Sequence, residues 1–247
     1  NNVDGLKTTI ESVVSQDYEN AEIIISDDGS SNYDKSCLEE YAGKVRNKYK
    51  NVRVNINEEN IGTVKHLNRV FGMARGDILI TCSSGDEFAD SKAVSRLVDY
   101  FEKTDYLVIT TRRIDRYKDY DKVRPSWLLG PALRFMPKTV LNYMIQKKNI
   151  ITFYRKEIFD KHGLLDERYH LVEDYPYYVN LLRKSEKIGF YSKPVIVHTI
   201  GGVSTGKIHP SIYKDIERLR EDLYPVRSEF SKKTRKFLEA AHNSKSN

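Results

Sequence analysis

The feature that most narrows what this chain can fold into is a repeated unit: a run of branched aliphatic residues, then a turn of Asp, Ser and Gly, then a stretch with helical spacing. Glu22 to Ser26 (EIIIS) runs into Asp27, Asp28 and Gly29, and Ile78 to Ser84 (ILITCSS) runs into Gly85, Asp86 and Glu87. Continuous apolar runs of this length read as strands buried on both faces, the condition of a parallel sheet covered by helices. VRVNIN, with Val52, Val54 and Ile56 on one face, and Tyr106 to Thr111 add two more strands. Helical spacing is predicted over Leu6–Ser15, Asp34–Tyr49, Gly62–Ala74 and Ser91–Lys103. Strand and helix thus alternate through residue 111, which predicts an α/β architecture with a mostly parallel central sheet and helices on both faces. In open sheets of this kind ligands bind beyond the carboxyl ends of the strands, and that is where the acids fall.

After Thr111 the alternation stops. RPSWLLGPALRFMP mixes Pro and Gly with large apolar residues and predicts a loop or short-helix excursion. A strand at IITFY, a helix from Asp174 to Ser185, strands at Lys187–Tyr191 and Pro194–Ile200, and a terminal helical stripe at Ile212, Ile216, Leu219 and Leu223 follow. With 247 residues, 39% of them hydrophobic, the chain can bury a sizeable core. No apolar run is long enough to cross a bilayer and the opening does not resemble a secretory signal, so a cytoplasmic location is expected. Cys37 and Cys82 lie far apart without metal-type spacing and are expected to be free thiols. The net charge of +6 is concentrated: Arg112 to Lys148 carries ten basic residues against three acids, a net +7, which leaves the remainder at −1.

Four places offer chemistry. Asp27 and Asp28 read either as strand-exit capping or as acceptors for ribose hydroxyls or a base imino group. Asp86 and Glu87 sit at a second strand end; if the two strands are neighbours, four carboxylates converge, which is unfavourable without a cation such as Mg²⁺ or Mn²⁺. Glu173 and Asp174 precede a helix with Pro176 in its first turn, so Asp174 reads as an N-cap or as a general base. HTIGGVSTG, His198 to Gly206, reads as a turn or a lid, and His198 as a packed strand histidine rather than a metal ligand.

Taken in order, EIIISDDGSSN, NIGTVKHLNRVFGMARGDILITCSSGDEF, FDKHGLLDERYHLVEDYPYYVNLLRK and GGVST resemble the family-2 glycosyltransferases, inverting enzymes of the GT-A fold, from the start of the chain to about Thr205. The resemblance implies that Asp28, with Asp27 beside it, contacts the nucleotide, with Lys65 a weaker candidate. It implies that Asp86 binds a divalent cation, Mn²⁺ or Mg²⁺, and the donor diphosphate, the other acidic position of that element being Ser84 here. It implies that Asp174 is the catalytic base and Glu173 an acceptor contact. The expected organisation is a GT-A domain over 1–207, with a nucleotide-binding half at 1–111 and an acceptor-binding half at 112–207, and a C-terminal helical extension over 208–247. The family's first strand is not found ahead of NNVDGL, so the sequence shown is expected to lack it and to leave two strand edges unpaired.

The implied partners are a nucleotide-sugar donor, expected to be a UDP-sugar, and a glycan or lipid-linked sugar acceptor of bacterial polysaccharide synthesis. Trp127, Leu128, Leu129, Phe135 and Met136 among the cations of 112–148 point to peripheral contact with an anionic membrane. No nucleic-acid recognition motif accompanies those cations, so nucleic acid is not an expected partner. Ser84 supports the rival reading, a nucleotide-sugar binding module that has lost catalysis.

Overall fold

The computed structural model describes residues 3–31, 35–124, 151–200, 211–219 and 221–222. The apolar residues of the basic stretch (Trp127, Leu128, Leu129, Phe135 and Met136), the GGVST loop and Leu223 lie outside them.

The first half forms a two-stranded parallel sheet. Strand β1 (Glu22–Asp27) pairs with β2 (Asn51–Ile56) from Glu22 opposite Asn51 to Asp27 opposite Ile56. Helices α1 (Val3–Val14) and α2 (Ser36–Arg46) cover it, closing a core of Ile10, Ile25, Leu38, Ala42, Val45 and Tyr49. The Tyr49 hydroxyl donates to the Val13 carbonyl at 3.0 Å, tying the exit of α2 to the end of α1.

The second sheet is mixed. Its order is β3 (Ile78–Leu79), β7 (Ile151–Arg155), β5 (Val108–Arg116), β8 (Ile188–Thr199), β4 (Glu87–Phe88), with β6 (Asp121–Arg124) on the outer half of β5. Only β5 and β8 run parallel in it; the ladders β3 to β7, β5 to β7, β5 to β6 and β4 to β8 are antiparallel. Helices α3 (Thr63–Met73), α4 (Ala93–Glu102), α5 (Glu157–His162) and α6 (Asp174–Arg183) pack against it, with a helix α7 over 211–219. One core gathers Val64, Phe71, Tyr154, Ile158, Tyr178 and Leu181 between α3, α5 and α6. A second gathers Leu97, Phe101, Ile109, Phe153 and Ile196 beneath α4.

Three departures from the sequence reading have physical causes. The strand expected over Ile78–Ser84 pairs only at Ile78 and Leu79, because its described neighbour β7 meets it at just those two residues. The two strands expected between Lys187 and Ile200 are one strand, β8, whose ladder with β5 shifts register where Arg112 faces Pro194; proline lacks a ladder donor, and an irregularity is where a strand tolerates it. The expected parallel neighbours are found in β1 with β2 and in β5 with β8, while the chain beyond residue 111 contributes mainly antiparallel partners. Among the described residues β1 and β3, the edges of the two sheets, do not pair with each other. Among the described residues Cys37 and Cys82 are not joined in a disulfide.

Candidate active site

At the carboxyl end of β1 the two aspartates turn the chain and hold its neighbour. Asp27 accepts from the Ser30 amide at 3.0 Å, closing a turn around Gly29. Gly29 has φ +66°, and a Cβ there would lie 2.3 Å from the Glu59 carbonyl carbon, so glycine is what lets the 57–62 loop press onto this turn. The Asp28 carboxylate accepts from Asn57 Nδ2 at 2.8 Å and from the Ile61 and Gly62 amides at 3.0 Å each. It is therefore a clamp on the segment that enters α3. His66 Nδ1 lies 3.1 Å from Asn57 Nδ2 and 3.7 Å from Asp28. Burial depresses its pKa against the opposing pull of Asp28, which keeps the ring neutral at pH 7 and able to accept from Asn57. Lys65, which precedes His66 in the helix, is exposed.

Asp86 follows a tight turn in which its amide donates to the Ser83 carbonyl at 2.9 Å. Helix α1 fixes that turn through Thr9, whose hydroxyl donates to the Asp86 carbonyl at 2.7 Å and accepts from the Gly85 amide at 3.0 Å. The antiparallel ladder that pairs Glu87 with Val197 brings Asp86 beside His198, and Oδ1 of Asp86 lies 2.9 Å from His198 Nδ1. His198 is thus more than a packed strand histidine. Its other nitrogen, Nε2, is buried with no hydrogen-bond partner among the described residues.

Glu173 and Asp174 open α6. Glu173 holds the cap position without a side-chain capping bond and Asp174 is the first helical residue, which corrects the N-cap reading of Asp174. Both carboxylates lie at the N-terminal, positive end of the α6 dipole. Pro176 is buried in the first turn, as its fixed φ permits.

These elements converge on a cavity of about 170 Å³ lined by Asp86, Glu173 and Asp174, by the hydroxyl residues Thr63, Thr81, Ser83 and Thr152, and by Leu67, Phe71, Tyr154, Leu165, Ile151 and Ile196. Asp27, Asp28 and Lys65 do not line it. Asp28 reaches it at one remove, through the Gly62 amide that precedes Thr63. The expected convergence of four strand-end carboxylates is also replaced: Glu87 pairs with Arg116, and the acids that share the cavity are Asp86 and the α6 pair. The Tyr154 hydroxyl is wholly buried; burial first, and the Asp174 charge next, push its pKa well up, so it stays a neutral phenol.

Among the described residues no three His, Cys, Asp or Glu gather as a metal cage. A hard divalent cation does not require one, since it commonly takes one or two carboxylates and completes its shell with water and substrate phosphate oxygens. Asp86, a cavity-lining carboxylate steadied by His198 Nδ1, fits that sparse donor set.

The profile of glycosyl transferase family 2 matches residues 1–164. An uncharacterized glycosyltransferase of Haemophilus influenzae is 24% identical over 216 residues, 81% of this chain and 63% of that protein, so the chain spans less than two thirds of its relative. Among solved structures, S. aureus TarS 1-349 in complex with UDP-GlcNAc is similar with a TM-score of 0.65 at 17% identity, over 88% of this chain and 62% of that one. The mannosyltransferase PcManGT of Pyrobaculum calidifontis, in complex with GDP-Man and Mn²⁺, is similar with a TM-score of 0.60 at 13% identity, over 83% and 56%. At these identities the structural likeness establishes the fold, a GT-A-like α/β arrangement of sheet and helices.

Proposed function

The chain belongs to glycosyl transferase family 2, and from that premise we propose that it is an inverting transferase moving a sugar from a nucleotide-diphosphate sugar, in our reading a UDP-sugar, to an acceptor hydroxyl. The observation that carries this is the meeting of Asp86, Glu173 and Asp174 on one cavity although up to 88 residues separate them in sequence. Asp174, at the mouth of α6, takes the proton of the acceptor hydroxyl as it attacks the anomeric carbon, and Glu173 beside it hydrogen-bonds the acceptor. Attack and departure on opposite faces invert that carbon. Asp86 would hold Mn²⁺ or Mg²⁺ on the diphosphate side, and such a cation would offset the charge that grows on the leaving diphosphate. Asp27, Asp28 and the 61–63 backbone that Asp28 holds form the nucleoside side, with Lys65 at its exposed rim. Neighbours solved with UDP-GlcNAc and with GDP-Man and Mn²⁺ support a nucleotide-sugar donor and a divalent cation.

The test is a screen of nucleotide sugars with and without Mn²⁺, read by thermal shift and by donor turnover. Cation-dependent stabilisation together with turnover supports the reading. Stabilisation without turnover on any donor and acceptor favours the binding-module alternative, for which Ser84 is the specific observation.

We further place the protein in the cytoplasm at the inner face of a bacterial cell membrane, working on a lipid-linked sugar in surface-polysaccharide synthesis. Among the described residues no helix is long and apolar enough to cross a membrane. Within the described part of the basic segment, Arg113 and Arg124 pair with Asp115 and Arg116 pairs with Glu87 and Asp121, so much of that charge is already matched. Attraction to an anionic surface therefore falls to the exposed Lys118 and Lys122 and to Arg134, Lys138, Lys147 and Lys148 of the same segment. Sedimentation with anionic vesicles should show binding at low salt that is lost at high salt; protein left in the supernatant at low salt ends the membrane claim.

A further inference from the structure

The segment that carries Glu173 and Asp174 into the cavity is held from outside the residues 1–207 that the sequence reading assigned to the transferase domain. Asp215, on α7, is only 3% exposed. Its carboxylate accepts from three consecutive backbone amides: His170, at 3.0 Å to each oxygen, Leu171 at 2.7 Å and Val172 at 3.0 Å. Nothing in a soluble helix requires a buried aspartate, and ionised acceptors bonded to several backbone amides fix those amides strongly. The next residues in the chain are Glu173 and Asp174.

The same segment touches the nucleoside side. The His170 ring packs on Gly62 so closely that a Cβ there would lie 2.3 Å from it, and the Val64 amide donates to the His170 carbonyl at 3.2 Å. Gly62 is in turn held by Asp28. One connected set of hydrogen bonds and packing contacts therefore runs from Asp28 through 61–64 and His170 to Asp215, and Thr63 and the Glu173-Asp174 pair beside it line the cavity.

We propose that Asp215 is a positioning residue for the Glu173-Asp174 pair, holding residues 170–172 so that Asp174 stands at the reacting distance while taking no part in the chemistry itself. The proposal rests on the transfer reading for its catalytic consequence, but its structural half stands apart from it. Asp215→Asn keeps the size of the side chain and replaces one acceptor oxygen with a donor that opposes the amides. Per folded molecule, kcat should fall roughly tenfold to a hundredfold while the KM for the donor and the affinity for free nucleotide stay unchanged, the mark of misplaced catalytic geometry rather than lost binding. Asp222→Asn is the control, because Asp222 holds the neighbouring Tyr169 and Arg168 without bonding the 170–172 amides; its kcat should match the wild type.

Amide hydrogen exchange gives a readout independent of turnover. In the wild type, His170, Leu171 and Val172 should exchange as slowly as the interior of α6, and in Asp215→Asn they should exchange faster while α4 is unchanged. Fast exchange of the three amides in the wild type overturns the proposal even if the variant does not fold. An Asp215→Asn enzyme with full kcat per folded molecule, or one that loses nucleotide affinity in proportion to kcat, also overturns it. Protected amides that loosen in the variant, in a protein that turns over no nucleotide sugar, leave the brace standing and overturn the transfer reading instead.

Discussion

Asp28 and Asp86 stand at corresponding strand ends in the sequence but serve different ends in the fold. Asp28 spends its carboxylate on the Asn57 side chain and the Ile61 and Gly62 amides, whereas Asp86 faces the cavity and leans on His198. Asp28→Ala should therefore destabilise the protein by about 2–3 kcal/mol in urea denaturation, since it strands two amides and an amide side chain, and nucleotide affinity should fall with it. Lost affinity at unchanged stability would mean that Asp28 acts on the ligand alone. Residues at this scale were legible where local chemistry marks them: the DDGS turn, the acid pair ahead of Pro176, and the glycine-Asp turn at 85–86. His198 and Asp215 were not. His198 meets Asp86 only through the β4 to β8 register, and Asp215 bonds main-chain amides 43 to 45 residues away, which leave no side-chain signature in sequence.

At the scale of elements, helical periodicity placed α1 to α4 and α6 within a few residues of their bounds, because each buries one apolar face on a sheet. Pairing partners decided what the sequence could not: β3 is short, β8 is continuous, and β4 and β6 exist only because β8 and β5 offer them edges. Helix α3 carries a pH dependence. His66 has a folded pKa below 6.5 because burial disfavours its charged form. As pH falls through that value the unfolded chain gains a proton that the folded one refuses, so stability is lost on going from about pH 7.5 to about pH 5.5. The carboxyls of Asp90, Asp166 and Glu186, held low by Arg96, Arg168 and Lys161 respectively, add losses as pH falls through the ordinary carboxylate range and below it. Urea melts across the upper window should show the fall in the wild type and a shallower one in His66→Gln; equal slopes would remove His66 as the cause.

For the whole molecule, the alternation of buried strands and helices made the α/β class legible, and the ordered motifs made the family legible, which the match over residues 1–164 establishes. The walls of the cavity beyond Asp86 and the Glu173-Asp174 pair were not legible, because they depend on α6 and β8 returning across sheet built from residues far earlier in the chain. The central claim is that this return places a base at Asp174 opposite a diphosphate site at Asp86. It is tested most directly by donor turnover with nucleotide affinity measured on the same samples, for the wild type, Asp174→Asn and Asp86→Ala. A base acts in the transition state, so Asp174→Asn should lose transfer by roughly a thousandfold or more while binding nucleotide as the wild type does, and Asp86→Ala should lose both. Turnover near the wild-type rate in Asp174→Asn, or nucleotide affinity lost equally in both variants, would contradict the account.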